Sequence, residues 1–276
     1  MTNAAGSARS ADGTQADMSS PITKALHLLD VVASFERPVR FSEIQQVAGL
    51  SKGTLHRLLK QLEAERMLAF DEAAQRYRLG LRLIRLAHGA WENASLVEVA
   101  RPTIDRLAEK LGLTIRLGCM EGEHVLYLDK RMVKSSVRMF SSPGRVAPLY
   151  CTGLGKAMLA HVPANERDRI FERLSLAPFT ENTICSRDEL LQELTITRKR
   201  GFAIDNEEHE VSIICIAVPI LARDGTLTGA ISATSTVYQH GLEDLKDCLD
   251  DMKLAAAEIA QNAEVQFLTR RRLIDQ

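Results

Sequence analysis

The stretch FSEIQQVAGLSKGTLHRLL, residues 41–59, decides the fold of the first part of the chain. Ser42-Glu43-Ile44-Gln45 has the pattern of a capping box, which predicts a short helix that starts at Ser42 and ends at Gly49. Ser51 is predicted to cap another helix two residues later. Its apolar residues recur at helical spacing and form one stripe: Leu55, Leu58, Leu59 and Leu62. The sequence therefore predicts two short helices joined by a tight glycine turn.

The flanking segments complete a three-helix unit with a hairpin. Ser20-Pro21 is typical of a helix start, and the segments 67–70 and 76–79 flank a polar turn, which predicts two short strands. This is the order of a winged helix-turn-helix, in which one stripe of the recognition helix is buried and the other enters the major groove of DNA. We expect Arg57 to read a guanine edge and Lys60 and the hairpin residues to contact the backbone. The candidate DNA-binding residues are Ser51, Lys52, Gly53, Thr54, His56, Arg57, Lys60, Gln75, Arg76 and Arg78.

Spacing alone leaves an alternative, an ordinary three-helix bundle with a solvated basic face. Residues 40–78 carry seven Lys and Arg against five Asp and Glu, a local excess of two positive charges in a chain whose net charge is −1. This asymmetry is compatible with DNA binding and is weak support by itself.

Composition indicates a globular protein of one large or two ordinary domains, since 45% of the 276 residues are hydrophobic. Residues 1–20 are small and polar and are predicted to be a disordered tail without the apolar core of a signal peptide. Five cysteines lack any Cys-x-x-Cys pair, which favours reduced thiols and a cytoplasmic location.

Helical and strand patterns divide the rest of the chain. We predict a winged helix-turn-helix domain over 21–80, a linker helix over 81–95 and a second domain over 96–276. The linker carries an apolar stripe, which favours a dimer: Leu83, Ile84, Ala87, Ala90 and Trp91. Pro102 predicts a kink or a nearby helix start. Strands and helices then alternate, and Asp224-Gly225 indicates a hairpin.

The chain resembles the IclR family of bacterial transcription regulators over residues 21 to about 270. Residues 41–59 are similar to that family's helix-turn-helix, and Tyr77-Arg78-Leu79-Gly80 is similar to the exit from its wing. The likeness continues through later motifs: Lys24 to Leu29, Ala100-Arg101-Pro102, Leu126 to Asp129, Gly153 to Ala157, Arg200-Gly201-Phe202 and Asp205 to Glu208.

This resemblance implies an α+β protein with a C-terminal GAF-like effector domain, built on a mixed, largely antiparallel sheet. It implies a DNA-binding repressor or activator, not an enzyme, that forms dimers and pairs them into tetramers and responds to a small organic acid. Thr234 stands where members that bind small keto acids carry serine. The effector-binding positions that the resemblance implies are Gly153, Leu154, Asp205, Cys215, Ser232 and Thr234.

Each of these residues also has a plainer interpretation. Cys215 lies in an apolar strand, where a cysteine is usually a small hydrophobic residue, and Asp205 is typical of a turn. A thiol enzyme using Cys215 and His209 is an alternative without an evident orienting group. No cofactor and no metal are predicted, because the segment 153–156 departs from a Walker loop and the chain lacks the Cys and His spacing of a zinc site.

Overall fold

The computed structural model describes the backbone of residues 20–35, 37–93, 95–132 and 143–274. Side chains are described for the same residues except 88–93, 95 and 265–274. The predicted tail, apart from Ser20, and the side chains of Ala90 and Trp91 therefore lie outside the described residues. The chain divides into two compact units, Met1–Asn93 and Ala94–Gln276.

The first unit has the helix and strand order of a winged helix-turn-helix. Its elements are α1 (Pro21–Ser34), α2 (Phe41–Ala48), α3 (Lys52–Ala64), β1 (Leu68–Asp71), β2 (Arg76–Leu79) and α4 (Leu81–Asn93). A core of leucine and valine from α1 and α3 closes against Ile44 of α2 and Tyr77 of β2. The two strands pair antiparallel, and Val39 adds a short bridge to Tyr77.

The start of α2 differs from the sequence prediction by two residues. Arg40, not Ser42, is the N-cap, and its backbone N–H donates to the Glu43 carboxylate at 2.8 Å. The predicted box paired Ser42 with Gln45, whereas the helix uses Glu43, which is the third residue after Arg40. Gly49 follows the helix in a left-handed conformation, φ 63°, as predicted.

The second unit is a six-stranded sheet with helices on both faces. Its elements are α5 (Ser95–Leu111), β3 (Thr114–Glu121), β4 (His124–Arg131), β5 (Val146–Pro148), α6 (Gly153–Leu159), α7 (Ala164–Phe171), α8 (Arg187–Arg200), β6 (Ala203–Asn206), β7 (Ile213–Leu221), β8 (Leu227–Thr236), α9 (Leu242–Lys246) and α10 (Leu249–Ile274). The strand order is β5-β4-β3-β8-β7-β6. The predicted α+β sheet is confirmed, and every strand pairing described in it is antiparallel.

Alternation along the strands gives the sheet two buried faces. α5 and α10 contact one face, and α6 contacts the other. α5 begins at Ser95 and continues through Pro102, where a kink stays a prediction. Contacts such as Arg106 to Glu258 and Lys110 to Asp251, each 2.7 Å or shorter, join α5 to α10.

Among the described residues, no helix is both long and apolar enough to cross a membrane.

Candidate functional site

The recognition helix α3 presents its predicted polar face to solvent. Ser51 caps the helix, and its hydroxyl accepts from the Thr54 backbone N–H at 3.4 Å and contacts the Thr54 hydroxyl at 3.0 Å. The leucine stripe is buried, while Lys52, Gly53, His56, Arg57 and Lys60 are exposed. Thr54 is half-buried. The Lys60 ammonium is 3.1 Å from Glu63, so part of its charge is already neutralised.

The predicted wing residues on the hairpin differ in how their side chains are held by hydrogen bonds and in how exposed they are. Gln75 adopts a left-handed conformation, φ 52°, and its side chain donates to the Glu72 carbonyl at 2.7 Å. The Arg76 guanidinium donates to the Pro38 carbonyl at 3.3 Å, and Arg78 is exposed on the second strand. Arg78 is therefore the wing cation whose side chain faces solvent most fully.

A small cavity opens at the α6 face of the second unit, and five of the six predicted effector positions line it. These are Gly153, Leu154, Asp205, Cys215 and Ser232. Thr234 is buried on the same face, because it is the register partner of Cys215 in the neighbouring strand. The cavity has a volume of about 10 Å³, which is room for about one water molecule.

Close packing between α6 and β7 forms one wall of the cavity. A Cβ atom built on Gly153 would lie 2.5 Å from the Cys215 sulfur, so only glycine fits here without a shift. The Cys215 thiol lies 3.9 Å from the Asp205 carboxylate. Burial raises the pKa of the Cys215 thiol strongly, and the charge of Asp205 adds to this effect. The thiol therefore stays protonated at neutral pH.

Two hydroxyl groups of β8 are buried without a hydrogen-bond partner among the described residues. Ser232 is fully buried and Thr234 is 1% exposed. An unpaired buried hydroxyl costs about 1–3 kcal/mol, so such groups mark a place where a ligand or water can bind.

Acidic groups lie at the other side of the cavity, beside a buried ion pair. The Asp205 carboxylate accepts from the Glu208 backbone N–H at 2.9 Å, and burial raises the pKa of Asp205. Glu208 pairs with the buried Lys156 ammonium. Burial raises the pKa of Glu208 to about 7, although the positive charge of Lys156 opposes the shift.

Sequence reasoning missed several residues that line the same cavity: Arg116, Tyr127, Thr152, Glu210 and Ile213. His209 also lines it, although the sequence suggested this residue only as the base of a thiol enzyme. Arg116 carried a signal that could have found it, since a charged residue in the apolar run Thr114 to Gly118 is rarely buried without a purpose. His209 lies in the loop before β7, where the centre of its ring is 4.9 Å from the centre of the Phe179 ring.

Family models match both units. Residues 21–72 match the IclR helix-turn-helix domain, and residues 88–261 match the bacterial transcriptional regulator IclR C-terminal domain. The chain belongs to the IclR family. The resemblance inferred from the sequence is thereby confirmed, and the chain is a DNA-binding transcription regulator of the IclR type.

Individual relatives agree with this membership. The chain is 30% identical over 237 residues to the transcriptional regulator XynR of Escherichia coli, covering 85% of this chain and 94% of that protein. It is 31% identical over 239 residues to the regulator BhcR of Paracoccus denitrificans, covering 87% and 85%.

Solved structures share the fold. The Thermotoga maritima IclR crystal structure has a TM-score of 0.70 and 29% identity, covering 88% of this chain and 98% of that one. An IclR homologue from Microbacterium hydrocarbonoxydans, solved in complex with 4-hydroxybenzoate, has a TM-score of 0.77 and 22% identity, covering 89% and 100%.

Proposed function

We propose that this regulator binds a specific DNA operator through α3 and the hairpin, and that a small organic acid bound at the cavity changes its operator affinity. The observation that supports effector binding is the cavity itself, which is lined by five positions chosen from sequence resemblance. One of them is Ser232, and neither its hydroxyl nor that of Thr234 has a hydrogen-bond partner among the described residues. Ser232 donates to a carboxylate or carbonyl oxygen of the ligand, and Thr234 supports it from the same strand.

The DNA contacts that we propose use the polar side chains on α3 and the hairpin. Arg57 is exposed on α3 and reads a base edge, while Lys52, Lys60, Arg76 and Arg78 contact phosphates. Ser51 and Thr54 shape the helix start, Gly53 allows close approach, and His56 and Gln75 lie at the edge of this surface. The DNA-binding domain of this proposal covers residues 21–80, with the linker helix over 81–95 and the effector domain over 96–276.

The effector is small, because the cavity must widen to admit even a compact acid. An acid of the size of 4-hydroxybenzoate, the ligand of the Microbacterium homologue, is a suitable first candidate. Coupling of about 1–3 kcal/mol between effector and DNA is typical, and it requires that the acid bind one functional state better than the other.

We propose no catalytic role for the cavity, although Cys215 and His209 both line it. A nucleophilic cysteine needs a lowered pKa, and burial raises that of Cys215. We also place the protein in the cytoplasm, where its DNA and reduced thiols belong, and expect a homodimer that pairs into a tetramer, because one recognition helix reads few base pairs.

Selection of bound sequences from a random DNA pool tests this function, first with the full-length chain alone and then with small organic acids. We expect one enriched motif with two half-sites and a change in its recovery when the true effector is added. Recovery of no motif under any condition would contradict sequence-specific binding.

A further inference from the structure

Arg116 is a buried cation in the wall of the effector cavity. It is the third residue of β3, is 4% exposed and lines the cavity. Its register partner on β8 is Ser232, whose hydroxyl has no hydrogen-bond partner among the described residues. The two side chains therefore lie on the same face of neighbouring strands. A guanidinium beside a free hydroxyl is a donor-rich site that suits an anion.

Arg116 and its neighbours place a positive group and carboxyl groups in the same cavity. The centre of the guanidinium lies 5.9 Å from the Tyr127 ring, a cation–π distance. Burial raises the pKa of Asp205, and the positive charge of Arg116 opposes that rise. The two groups are therefore close enough to interact electrostatically. Asp205 and Glu210 supply acceptors in the same cavity, while the charge of Glu208 is directed to Lys156.

Arg116 and Asp205 come from strands that are not neighbours. β3 carries Arg116, β6 carries Asp205, and β8 and β7 lie between them. Both side chains nevertheless line one cavity, which therefore has a cation and a carboxyl group in its wall. A ligand that contacts both needs an acidic group for Arg116 and a hydrogen-bond donor, such as a hydroxyl, for Asp205.

We propose that Arg116 binds the carboxylate of the effector and Asp205 accepts a hydrogen bond from a hydroxyl of the same molecule, so that the effector is a small hydroxy carboxylic acid. This inference rests on the proposed organic-acid function and adds the residue that recognises the acid. Arginine suits the task because its planar fork matches a carboxylate with two parallel hydrogen bonds, which the ammonium of lysine cannot reproduce.

The test measures binding of hydroxy acids and their uncharged counterparts to the full-length protein by calorimetry. The probes are 4-hydroxybenzoate and other small acids with a remote hydroxyl, each beside its primary amide. We expect at least one acid to bind and its amide to bind at least about tenfold more weakly, because a hydrogen bond to a charged group is lost. Equal affinity for acid and amide would overturn the proposal.

Variants test whether Arg116 contacts the acid directly or acts only through its positive charge at a distance. Arg116→Gln is expected to weaken the acid at least about tenfold and to abolish the preference over the amide. Lys130→Gln is the matched control, because Lys130 is the register partner of Arg116 on β4 and its removal deletes the same charge. It is expected to weaken the acid less than about threefold, as a screened charge does.

Arg116→Lys keeps the charge and serves if the glutamine variant fails to fold. We expect it to reduce the preference for acid over amide at least about threefold, and an unchanged preference would overturn the role of Arg116. Acid binding that is lost in Ser232→Ala but retained in both Arg116 variants would leave the effector site standing and refute this inference alone. Binding of no acid to the parent protein would refute the organic-acid function and this inference together.

Discussion

Gly153 at the start of α6 lies so close to Cys215 of β7 that an added Cβ would come within 2.5 Å of the cysteine sulfur. Both residues line the cavity that we propose as the effector site. This contact limits how near the start of α6 can approach β7 at this wall of the cavity.

Gly153→Ala is expected to destabilise the protein by about 1–3 kcal/mol, because overpacking forces the Cys215 side chain to move. Cys215→Ala in the same chain should restore much of that loss, since it removes the sulfur atom that collides. Urea unfolding of the two single variants and the double variant measures the coupling. Gly53→Ala is the control for stability, because a Cβ there meets nothing within 4 Å. A Gly153→Ala protein as stable as the parent would contradict the close contact.

The buried carboxyl groups Asp205 and Glu208 predict that stability falls as pH rises. Burial raises the pKa of both in the folded state, that of Glu208 to about 7. Between the ordinary carboxyl value of about 4.3 and about 7, the folded state then binds more protons than the unfolded state. The free energy of unfolding therefore decreases over this window, by up to about 3 kcal/mol from Glu208. Carboxyl groups with lowered pKa values, such as Glu43, act below the window.

Asp205→Asn tests this origin, because asparagine keeps an oxygen that accepts from the Glu208 N–H but cannot ionise. The advantage of the variant over the parent should grow as pH rises through and above the ordinary aspartate pKa of about 3.9. Unfolding by urea at several pH values measures it. A difference that stays constant, or that shrinks with rising pH, would refute the raised pKa of Asp205.

On α3, Arg57 and Lys60 should differ in what they contribute to DNA binding. Arg57→Ala is expected to cost about 1–3 kcal/mol of discrimination between the selected operator and random DNA. Lys60→Ala should weaken both DNAs alike and lower the salt slope by about 1 or less, because Glu63 already shares its charge. Fluorescence anisotropy at two salt concentrations measures both effects, and an Arg57→Ala protein with parental specificity would show that the reading face lies elsewhere.

Exposed apolar side chains on α4 predict that the protein associates with itself. Ile84 is 65% exposed and Leu81 is 74% exposed, whereas Leu83 packs against the core of the first unit. Ile84→Glu should shift the protein toward smaller species in light scattering, and Arg85→Gln on the same helix should not. A parent protein that is monomeric at micromolar concentration, yet binds its operator tightly, would rule out the dimer.

Much of the fold was predictable because its signals are local. The leucine stripe and Ser51 specified α3 within a residue. β5 and β6 were missed, since strands of three and four residues are too short to show a period and depend on pairing with distant neighbours. The start of α2 was misplaced because its N-cap, Arg40, has no capping side chain, while the typical capping residue Ser42 follows two positions later.

The candidate site was predictable only in part, for a physical reason. The positions from Gly153 to Ser232 came from resemblance, and no spacing rule could bring them to one cavity. Arg116 was visible as a charge inside an apolar strand, but its place beside Ser232 depends on the register between β3 and β8. Long-range strand register is a property of the folded sheet that the local sequence does not carry.

The most direct test of the account measures operator affinity of the full-length protein with and without the acid that calorimetry identifies, in the parent and in Ser232→Ala. For the parent, we expect the acid to change the affinity for the selected operator by about 5–150-fold. For Ser232→Ala, we expect unchanged affinity without the acid and a response that requires higher acid concentration, because one hydroxyl donor is lost. An operator affinity that does not respond to an acid bound at this cavity, or a response that is identical in both proteins, would contradict the account.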